Sequence, residues 1–298
     1  MRERAASDAE LIRRQAAGAV RNLVRPGAYL GLAREALAGA GHVLAYPLGI
    51  VPLGLVPAPR LSTRPGPVPP VHPLQPLQPV PPTAPRNGHP QQGTPVLLVH
   101  GYFHNRSAFL ALSRSLRRTG LLSVHTFDYN PMLNSMGQLA AQLAVEVQRV
   151  LAATGAECCM IVGHSMGGLV ARSYVQDLGG QDTVDTVITL GTPHRGTYTS
   201  YLGPGRALAE LRPGSPYLQG LEQTARPSAV RWIAYSSDLD VMITPSVNAE
   251  LAHPALRATN IRLDDTGHLS LLVTGRVLRG VTAQLLQRHR DRLQPVPA

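Results

Sequence analysis

The sequence predicts an α/β protein with a mostly parallel central sheet flanked by helices. Two observations predict this class. From residue 95 onward, short apolar segments typical of strands alternate with longer segments whose apolar residues recur at helical spacing. The first of these segments, residues 96–99, is a continuous apolar run, as expected for a strand buried on both faces. The chain has 298 residues, of which 44% are hydrophobic, so it can bury a sizeable core and is not a wholly disordered protein.

Six strands and three helices are expected in this region. The strands are predicted at residues 96–99, 124–129, 158–162, 184–190, 230–235 and 260–263. The helices are predicted at residues 137–153, 168–178 and 269–293. In the first helix, apolar residues recur every four positions from Leu139 to Leu151. Gly179 and Gly180 follow the second helix and are a typical stop signal.

Residues 1–56 are predicted to form an N-terminal arm. Apolar residues recur among arginines at roughly helical spacing up to residue 43, with a break at Pro26 and Gly27. Residues 43–56 are an almost uninterrupted apolar run, shorter than the roughly 20 residues that span a bilayer. Three interpretations of this run stay open: an anchor in a membrane surface, a helix packed on the main domain, or an uncleaved signal-anchor. The predicted location is accordingly either membrane-associated or cytoplasmic.

Residues 57–94 are predicted to be a proline-rich linker. Fourteen prolines lie between residues 57 and 95, and those at 73, 76 and 79 repeat every three residues. A three-residue period is that of a polyproline II helix, which acts as a semi-rigid spacer and forms no packed core. The linker therefore separates the arm from a compact domain at residues 95–298.

The charge of the chain is unevenly distributed. The net charge is +10, and the sequence contains arginine but no lysine. Residues 1–95 hold ten arginines against four acidic residues. A basic, partly apolar arm is expected to be attracted to an anionic membrane surface, and the alternative is a solvated arm. The main domain has no basic cluster interleaved with aromatic residues, so binding to nucleic acid is not expected.

The strongest motif is Gly-His-Ser-Met-Gly at residues 163–167. It follows a predicted strand and opens a predicted helix. In that context Gly-x-Ser-x-Gly is typical of a nucleophile elbow, a tight turn that raises the serine hydroxyl above the edge of the sheet. The following helix also points the positive end of its dipole at this serine. Ser165 is therefore the predicted nucleophile.

A second motif, His-Gly-Tyr at residues 100–102, follows the first predicted strand. Acyl transfer forms an oxyanion that needs two N–H donors about 3 Å away. We expect one donor to be the amide of Met166, which follows the nucleophile. The other is expected from the loop after the first strand, at Tyr102.

Four segments carry a resemblance to a known family. They are Pro-Val-Leu-Leu-Val-His-Gly at 95–101, Val-Gly-His-Ser-Met-Gly-Gly at 162–168, Leu-Gly-Thr-Pro-His-Arg-Gly at 190–196, and Gly-His at 267–268. Together and in this order they resemble the small bacterial lipases and esterases of the α/β-hydrolase superfamily, including triacylglycerol lipases. The resemblance implies the α/β-hydrolase fold for residues 95–298 and does not extend to residues 1–94.

The resemblance implies a catalytic triad in the order Ser, acid, His. His268 follows the last predicted strand and is the implied histidine, with His253 and His289 as rivals. The implied acid follows the preceding strand, where Asp240 and Asp238 compete. Asp240 is preferred because an aliphatic residue and a proline follow it at the spacing of the family, and Asp238 stays as the alternative.

The implied function is that of a serine carboxylic-ester hydrolase, a lipase or esterase acting on lipid or other acyl esters. Acyl transfer to an alcohol or sugar acceptor uses the same triad and is the alternative. A catalytically idle binding module on the same fold is a third hypothesis. Residues 196–229 lie where this fold inserts a lid, and their apolar side chains suit either an acyl-chain site or ordinary packing between helices. No metal-ligand spacing or cofactor motif occurs in the sequence, so no metal or cofactor is expected.

Overall fold

Six parallel strands form one sheet within the residues described by the computed structural model, namely 10, 12–14, 17, 26–50, 94–120 and 122–293. The strand order is β2-β1-β3-β4-β5-β6. The strands are β1 (Thr94–Val99), β2 (Leu122–Phe127), β3 (Cys159–His164), β4 (Val184–Leu190), β5 (Arg231–Ser237) and β6 (Thr259–Leu263). All six predicted strands are found, and no end differs by more than two residues from the prediction.

Helices cover both faces of the sheet. They are α1 (Pro26–Ile50), α2 (Leu110–Arg117), α3 (Met136–Thr154), α4 (Met166–Asp177), α5 (Arg206–Glu210), α6 (Pro216–Thr224) and α7 (Gly275–Leu293). One core cluster joins α3, α4, α5 and α6 to one face, and a second joins α2 and α7 to the other. The prediction of a mostly parallel sheet flanked by helices is thereby confirmed.

The continuous apolar run of β1 arises because both faces of this strand are covered. In β1, Leu97 and Val99 belong to the first cluster, whereas Val96 and Leu98 belong to the second. All four side chains are fully buried. Alternate side chains of a strand point to opposite faces, so a strand between two helical layers needs apolar residues at every position.

Local sequence signals set the limits of α3. Its N-cap residue is Ser135, whose hydroxyl accepts a hydrogen bond from the Gln138 amide while the Gln138 side chain accepts one from the Ser135 amide. This reciprocal capping box satisfies two donors that a helix start leaves free. Gly155 closes the helix in the left-handed conformation, with φ 68°.

Two parts of the helical prediction differ from the structure. The predicted helix 269–293 begins only at Gly275, because Ser270–Leu272 form a separate 3-10 turn. The sequence analysis also missed the short helices α2, α5 and α6, of which α2 buries Leu112 and Leu116 one turn apart. A segment of two helical turns offers too few apolar positions to establish a period.

The arm contains one described long helix. α1 begins at Pro26, where the sequence analysis predicted a break, because proline is tolerated in the first turn of a helix. The helix continues into the apolar run that begins at residue 43, and it ends within that run at Ile50. The rest of that run and most of the linker, residues 51–93, lie outside the described residues. Among the helices that are described, none combines the length and apolarity needed to cross a membrane.

Candidate active site

The carboxyl edge of the sheet gathers the three predicted catalytic residues. Ser165 follows β3, Asp240 follows β5, and His268 follows β6. Because parallel strands end at the same edge, residues more than 100 positions apart in sequence meet there. Each lies on a loop or turn directly after its strand.

Ser165 occupies a strained turn between β3 and α4. Its backbone has φ 54° and ψ −127°, a conformation that non-glycine residues rarely adopt. Its amide donates a hydrogen bond of 2.9 Å to the Leu190 carbonyl oxygen of the neighbouring strand. The side chain is half-buried. This is the geometry of a nucleophile elbow, in which backbone strain holds the hydroxyl above the sheet.

Asp240 and His268 form a buried pair. The Nδ1 atom of His268 lies 2.8 Å from Oδ2 of Asp240, and both side chains are buried. The other carboxylate oxygen accepts hydrogen bonds from the amides of Met242 and Ile243 at 2.9 and 3.0 Å. Three donors therefore fix the carboxylate. Gly191, with φ 57°, leaves room for the pair, since a Cβ there would lie 2.9 Å from Oδ2 of Asp240.

Charge around His268 favours its protonated form. Burial alone would lower the pKa of His268, but the negative carboxylates of Asp240 and of Glu35 on α1 outweigh it, and the pKa is raised above its usual 6.5. An imidazole with a raised pKa can accept a proton, and the resulting cation is stabilised by the neighbouring Asp240.

The structure separates Asp240 from its rivals. Oδ1 of Asp238 accepts a hydrogen bond of 3.0 Å from the Asp265 amide. Burial raises the pKa of Asp238. His253 caps a short helix by accepting from the Ala255 amide. His289 lies on α7 and contacts the Thr94 hydroxyl at the start of β1, the opposite edge of the sheet. None of these three residues is brought to the Asp240–His268 pair by the contacts described here.

Tyr102 and Met166 flank the elbow from two adjacent strands. β1 pairs with β3, so the turn after β1 lies beside Ser165, and a Cβ added at Gly101 would lie 3.0 Å from the Ser165 Cβ. The Tyr102 hydroxyl donates to the Pro204 carbonyl oxygen at 2.5 Å. Met166 is the first residue of α4. The two amides predicted to be oxyanion donors therefore belong to segments that meet at Ser165.

The turn after β1 is held by His100. Its ring stacks on that of Tyr129, with centroids 4.2 Å apart, and the Tyr129 hydroxyl donates to the His100 carbonyl oxygen. Its Nδ1 donates to the Gly101 carbonyl oxygen at 2.8 Å. Burial lowers the pKa of His100 and keeps the ring neutral. His100 thus supports the turn that carries Tyr102.

Three further histidine rings follow one another away from His268. The ring of His164 lies 4.6 Å from that of His268, His104 lies 5.6 Å beyond, and His42 of α1 another 5.0 Å. Nε2 of His164 donates to the His268 carbonyl oxygen at 3.1 Å. Burial and neighbouring histidines lower the pKa of His104 to about 3 and hold the pKa of His164 well below its usual 6.5. No spacing pattern in the sequence links these histidines to one another.

The segment expected to be a lid forms short helices over this edge. It contains the 3-10 turn Tyr198–Leu202 together with α5 and α6. Arg172, fully buried on α4, holds α6 by donating to Glu222 at 2.7 Å and to the Leu221 carbonyl oxygen at 3.2 Å. His194 is buried, and its Nε2 forms a hydrogen bond of 3.0 Å with the Thr189 hydroxyl.

Comparisons with known proteins agree with this architecture. A family model for palmitoyl protein thioesterases matches residues 95–238. The mature form of a lipase from Bacillus licheniformis superimposes with a TM-score of 0.56 at 18% identity, covering 67% of this chain and 94% of that one. Lipase B from Aspergillus fumigatus gives a TM-score of 0.56 at 16% identity, covering 63% and 51%. The chain has the α/β-hydrolase fold.

A sequence relative of this chain is a triacylglycerol lipase from Pseudarthrobacter phenanthrenivorans. The two are 37% identical over 115 residues, which is 35% of this chain and 34% of the lipase. The chain therefore matches only about a third of the length of that curated relative. The predicted resemblance to lipases and esterases is confirmed.

Proposed function

We propose that this α/β-hydrolase is a serine carboxylic-ester hydrolase, a lipase or esterase that acts on lipid or other acyl esters. The observation that carries the proposal is the buried Asp240–His268 pair, joined over 2.8 Å at the same sheet edge as the strained Ser165 turn. The similarity to triacylglycerol lipases and to a thioesterase family model supports the same reaction class.

The roles of the three residues follow from their contacts. His268 is fixed through Nδ1 by Asp240, so its Nε2 is the atom left to take the proton of Ser165 as the hydroxyl oxygen attacks the ester carbonyl. Asp240 fixes the tautomer and stabilises the imidazolium that forms. The imidazolium then gives its proton to the leaving alcohol, and the acyl group stays on Ser165.

Stabilisation of the oxyanion is assigned to the amides of Tyr102 and Met166. Met166 begins α4, whose free N-terminal amides and dipole favour negative charge. A water molecule, activated by His268 in the same way, then cleaves the acyl-enzyme and regenerates Ser165. Transfer of the acyl group to another alcohol would follow the same steps, and the known relatives favour water as the acceptor.

Apolar side chains around the site support an acyl-chain substrate. Large apolar residues lie exposed on the loops after β1, β2, β4 and β5. They are Phe103, Met132, Leu133, Tyr201, Leu202, Val241 and Met242. Clustered exposed apolar residues are a typical sign of a surface for apolar ligands.

The association of residues 1–56 with an anionic membrane surface stays a prediction. One observation supports it: α1 exposes large apolar side chains away from the domain. They are Tyr29, Leu30, Leu32, Leu37, Val43, Leu44 and Tyr46. Together with the arginines of residues 1–25, they provide the apolar and the basic contribution that stable surface binding requires.

The test is hydrolysis of p-nitrophenyl esters of graded chain length by the wild type, Ser165→Ala and Ser228→Ala. Ser228 is exposed and precedes β5, at the edge of the sheet opposite the site, so it is a matched control. We expect Ser165→Ala to lose nearly all activity and Ser228→Ala to keep it. Equal activity of Ser165→Ala and wild type would refute the proposal.

A further inference from the structure

α1 crosses three of the loops that build the active site. A Cβ added at Gly31 would lie 2.7 Å from Leu239, the neighbour of the catalytic acid, and 2.8 Å from the carbonyl oxygen of Asp265. Near the other end of the helix, the His42 ring lies 5.0 Å from that of His104. The Tyr46 carbonyl oxygen accepts from the Asn105 side chain at 2.9 Å. A segment before the linker thus forms one wall of the site.

Glu35, in the middle of α1, binds the residues that follow His268. Its Oε1 accepts a hydrogen bond from the Leu269 amide at 2.8 Å. Its Oε2 accepts from the Ser270 amide at 2.8 Å and from the Ser270 hydroxyl at 2.7 Å. The Ser270 amide opens a 3-10 turn and has no partner within that turn, so a carboxylate that accepts two adjacent amides fixes the backbone there.

The loop is shaped to receive this carboxylate. Gly267 precedes the catalytic histidine, and a Cβ at this position would overlap Oε2 of Glu35. The absence of a side chain at Gly267 therefore lets Glu35 reach the amides beyond His268. The small residues Ala28 and Ala38 are buried on the same face of the helix, which allows this close approach.

We propose that Glu35 is a positioning residue, which holds the His268 loop in the geometry that places the imidazole between Asp240 and Ser165. The inference rests on the proposed function, because it assigns Glu35 a role in that same reaction. Asp240 orients the ring of His268 from one side, and Glu35 orients the backbone that carries the ring from the other. Residues 26–50 then belong to the same catalytic unit as residues 95–298, although the proline-rich segment separates the two in sequence.

Glu35 also acts on His268 through its charge. The groups that face this imidazole are Asp240 from the loop after β5, Glu35 from α1, His164 from the end of β3 and His104 from the turn after β1. Burial keeps His164 and His104 neutral, and the two carboxylates raise the pKa of His268. Removal of the Glu35 charge must therefore shift the acid limb of the rate profile to lower pH.

The test compares Glu35→Gln with Glu157→Gln in the full chain. Glu157 is 93% exposed and precedes β3 at the opposite edge of the sheet. Glu157→Gln therefore removes the same charge at a position away from the site. The amide introduced by Glu35→Gln presents one acceptor oxygen and an NH₂ group that cannot accept from the second backbone amide. We expect kcat to fall roughly tenfold or more with KM little changed, because misplacement of a catalytic group acts mainly on the chemical step. We also expect the acid limb of kcat/KM to move to lower pH. Glu157→Gln should match the wild type.

Two outcomes for Glu35→Gln would overturn the inference: kinetics equal to those of Glu157→Gln, or a lower kcat with an unmoved acid limb. If circular dichroism shows that Glu35→Gln does not fold, Ser270→Ala decides, since it removes one of the three bonds and keeps the carboxylate. A lower kcat supports the inference and an unchanged kcat overturns it.

The failure of the proposed function would be visible separately. If Ser165→Ala turns over like the wild type, both the function and the role of Glu35 are wrong. If Ser165→Ala is inactive while Glu35→Gln is normal, only the role of Glu35 is wrong. An NMR titration of His268, assigned by the signal missing from His268→Asn, measures the effect of Glu35→Gln on the imidazole without any substrate. An unshifted titration would overturn the inference, as an unmoved acid limb would.

Discussion

Replacement of Asp240 by asparagine removes the charge beside His268 and keeps the shape of the side chain. In the wild type, the amides of Met242 and Ile243 donate to Oδ1 of Asp240, and His268 Nδ1 lies 2.8 Å from Oδ2. In Asp240→Asn the same two amides will hold the side-chain carbonyl oxygen of the new asparagine in the Oδ1 position. Its NH₂ group then faces Nδ1 of His268 and forces the ring proton onto Nε2, where it blocks acceptance of the proton from Ser165.

The expected magnitude is large. Loss of the base tautomer in a Ser-His-Asp triad lowers kcat by about 10⁴-fold, or about 5.5 kcal/mol of transition-state stabilisation. The matched control is Asp238→Asn, since Oδ1 of Asp238 accepts a hydrogen bond from the Asp265 amide on the neighbouring loop. It should cost less than about tenfold, the effect of one hydrogen bond.

The assay is kcat for a short p-nitrophenyl ester, with circular dichroism to establish that both variants are folded. If Asp238→Asn lost more activity than Asp240→Asn, the assignment of the acid would be wrong by two residues. If both variants stayed within tenfold of the wild type, orientation of His268 by a carboxylate would not be the basis of the activity.

Three further predictions concern pH, the lid and the arm. Because the base must be neutral and the pKa of His268 is raised, kcat/KM should rise with pH through a value above 6.5, and an acid limb below 6.5 would contradict the electrostatics. Arg172→Ala should lower the free energy of unfolding in urea by about 3 kcal/mol, because it removes the hydrogen bonds of Arg172 to Leu221 and Glu222 and leaves a cavity in place of a fully buried side chain. A loss below about 0.5 kcal/mol would contradict the role of Arg172 in holding α6. The full chain should co-sediment with anionic vesicles. A variant without residues 2–25, which keeps α1, should bind them less and keep its activity on soluble esters; equal binding of the two would exclude a contribution from the arginines.

Much of the fold could be predicted because its signals are local. The strands β1 and β3 lie between two helical layers and have runs of four consecutive apolar residues, 96–99 and 159–162, which distinguishes them from amphipathic helices. The elbow at Ser165 could be found in the same way, because glycine, serine and glycine at fixed spacing occur between a strand and a helix. The choice of His268 and Asp240 among several histidines and acidic residues required the family resemblance.

The contacts of α1 could not be predicted in the same way. Glu35 is 234 positions from Leu269, and the proline-rich segment between them carries no signal of pairing. The face that α1 turns to the domain consists of glycine, alanine, one glutamate and one histidine, which gives no apolar stripe. The row of four histidine rings from His268 to His42 could not be predicted either, because its members come from four separate segments of the chain.

The most direct test of the central claim is the site of labelling by a fluorophosphonate, which reacts with activated serines. The enzyme would be treated with the probe, digested and analysed by mass spectrometry, beside Ser165→Ala, His268→Ala and Ser228→Ala. We predict one adduct, on Ser165, in the wild type and in Ser228→Ala, with little or none in the other two variants. Labelling of Ser165→Ala as strong as that of the wild type would contradict the account.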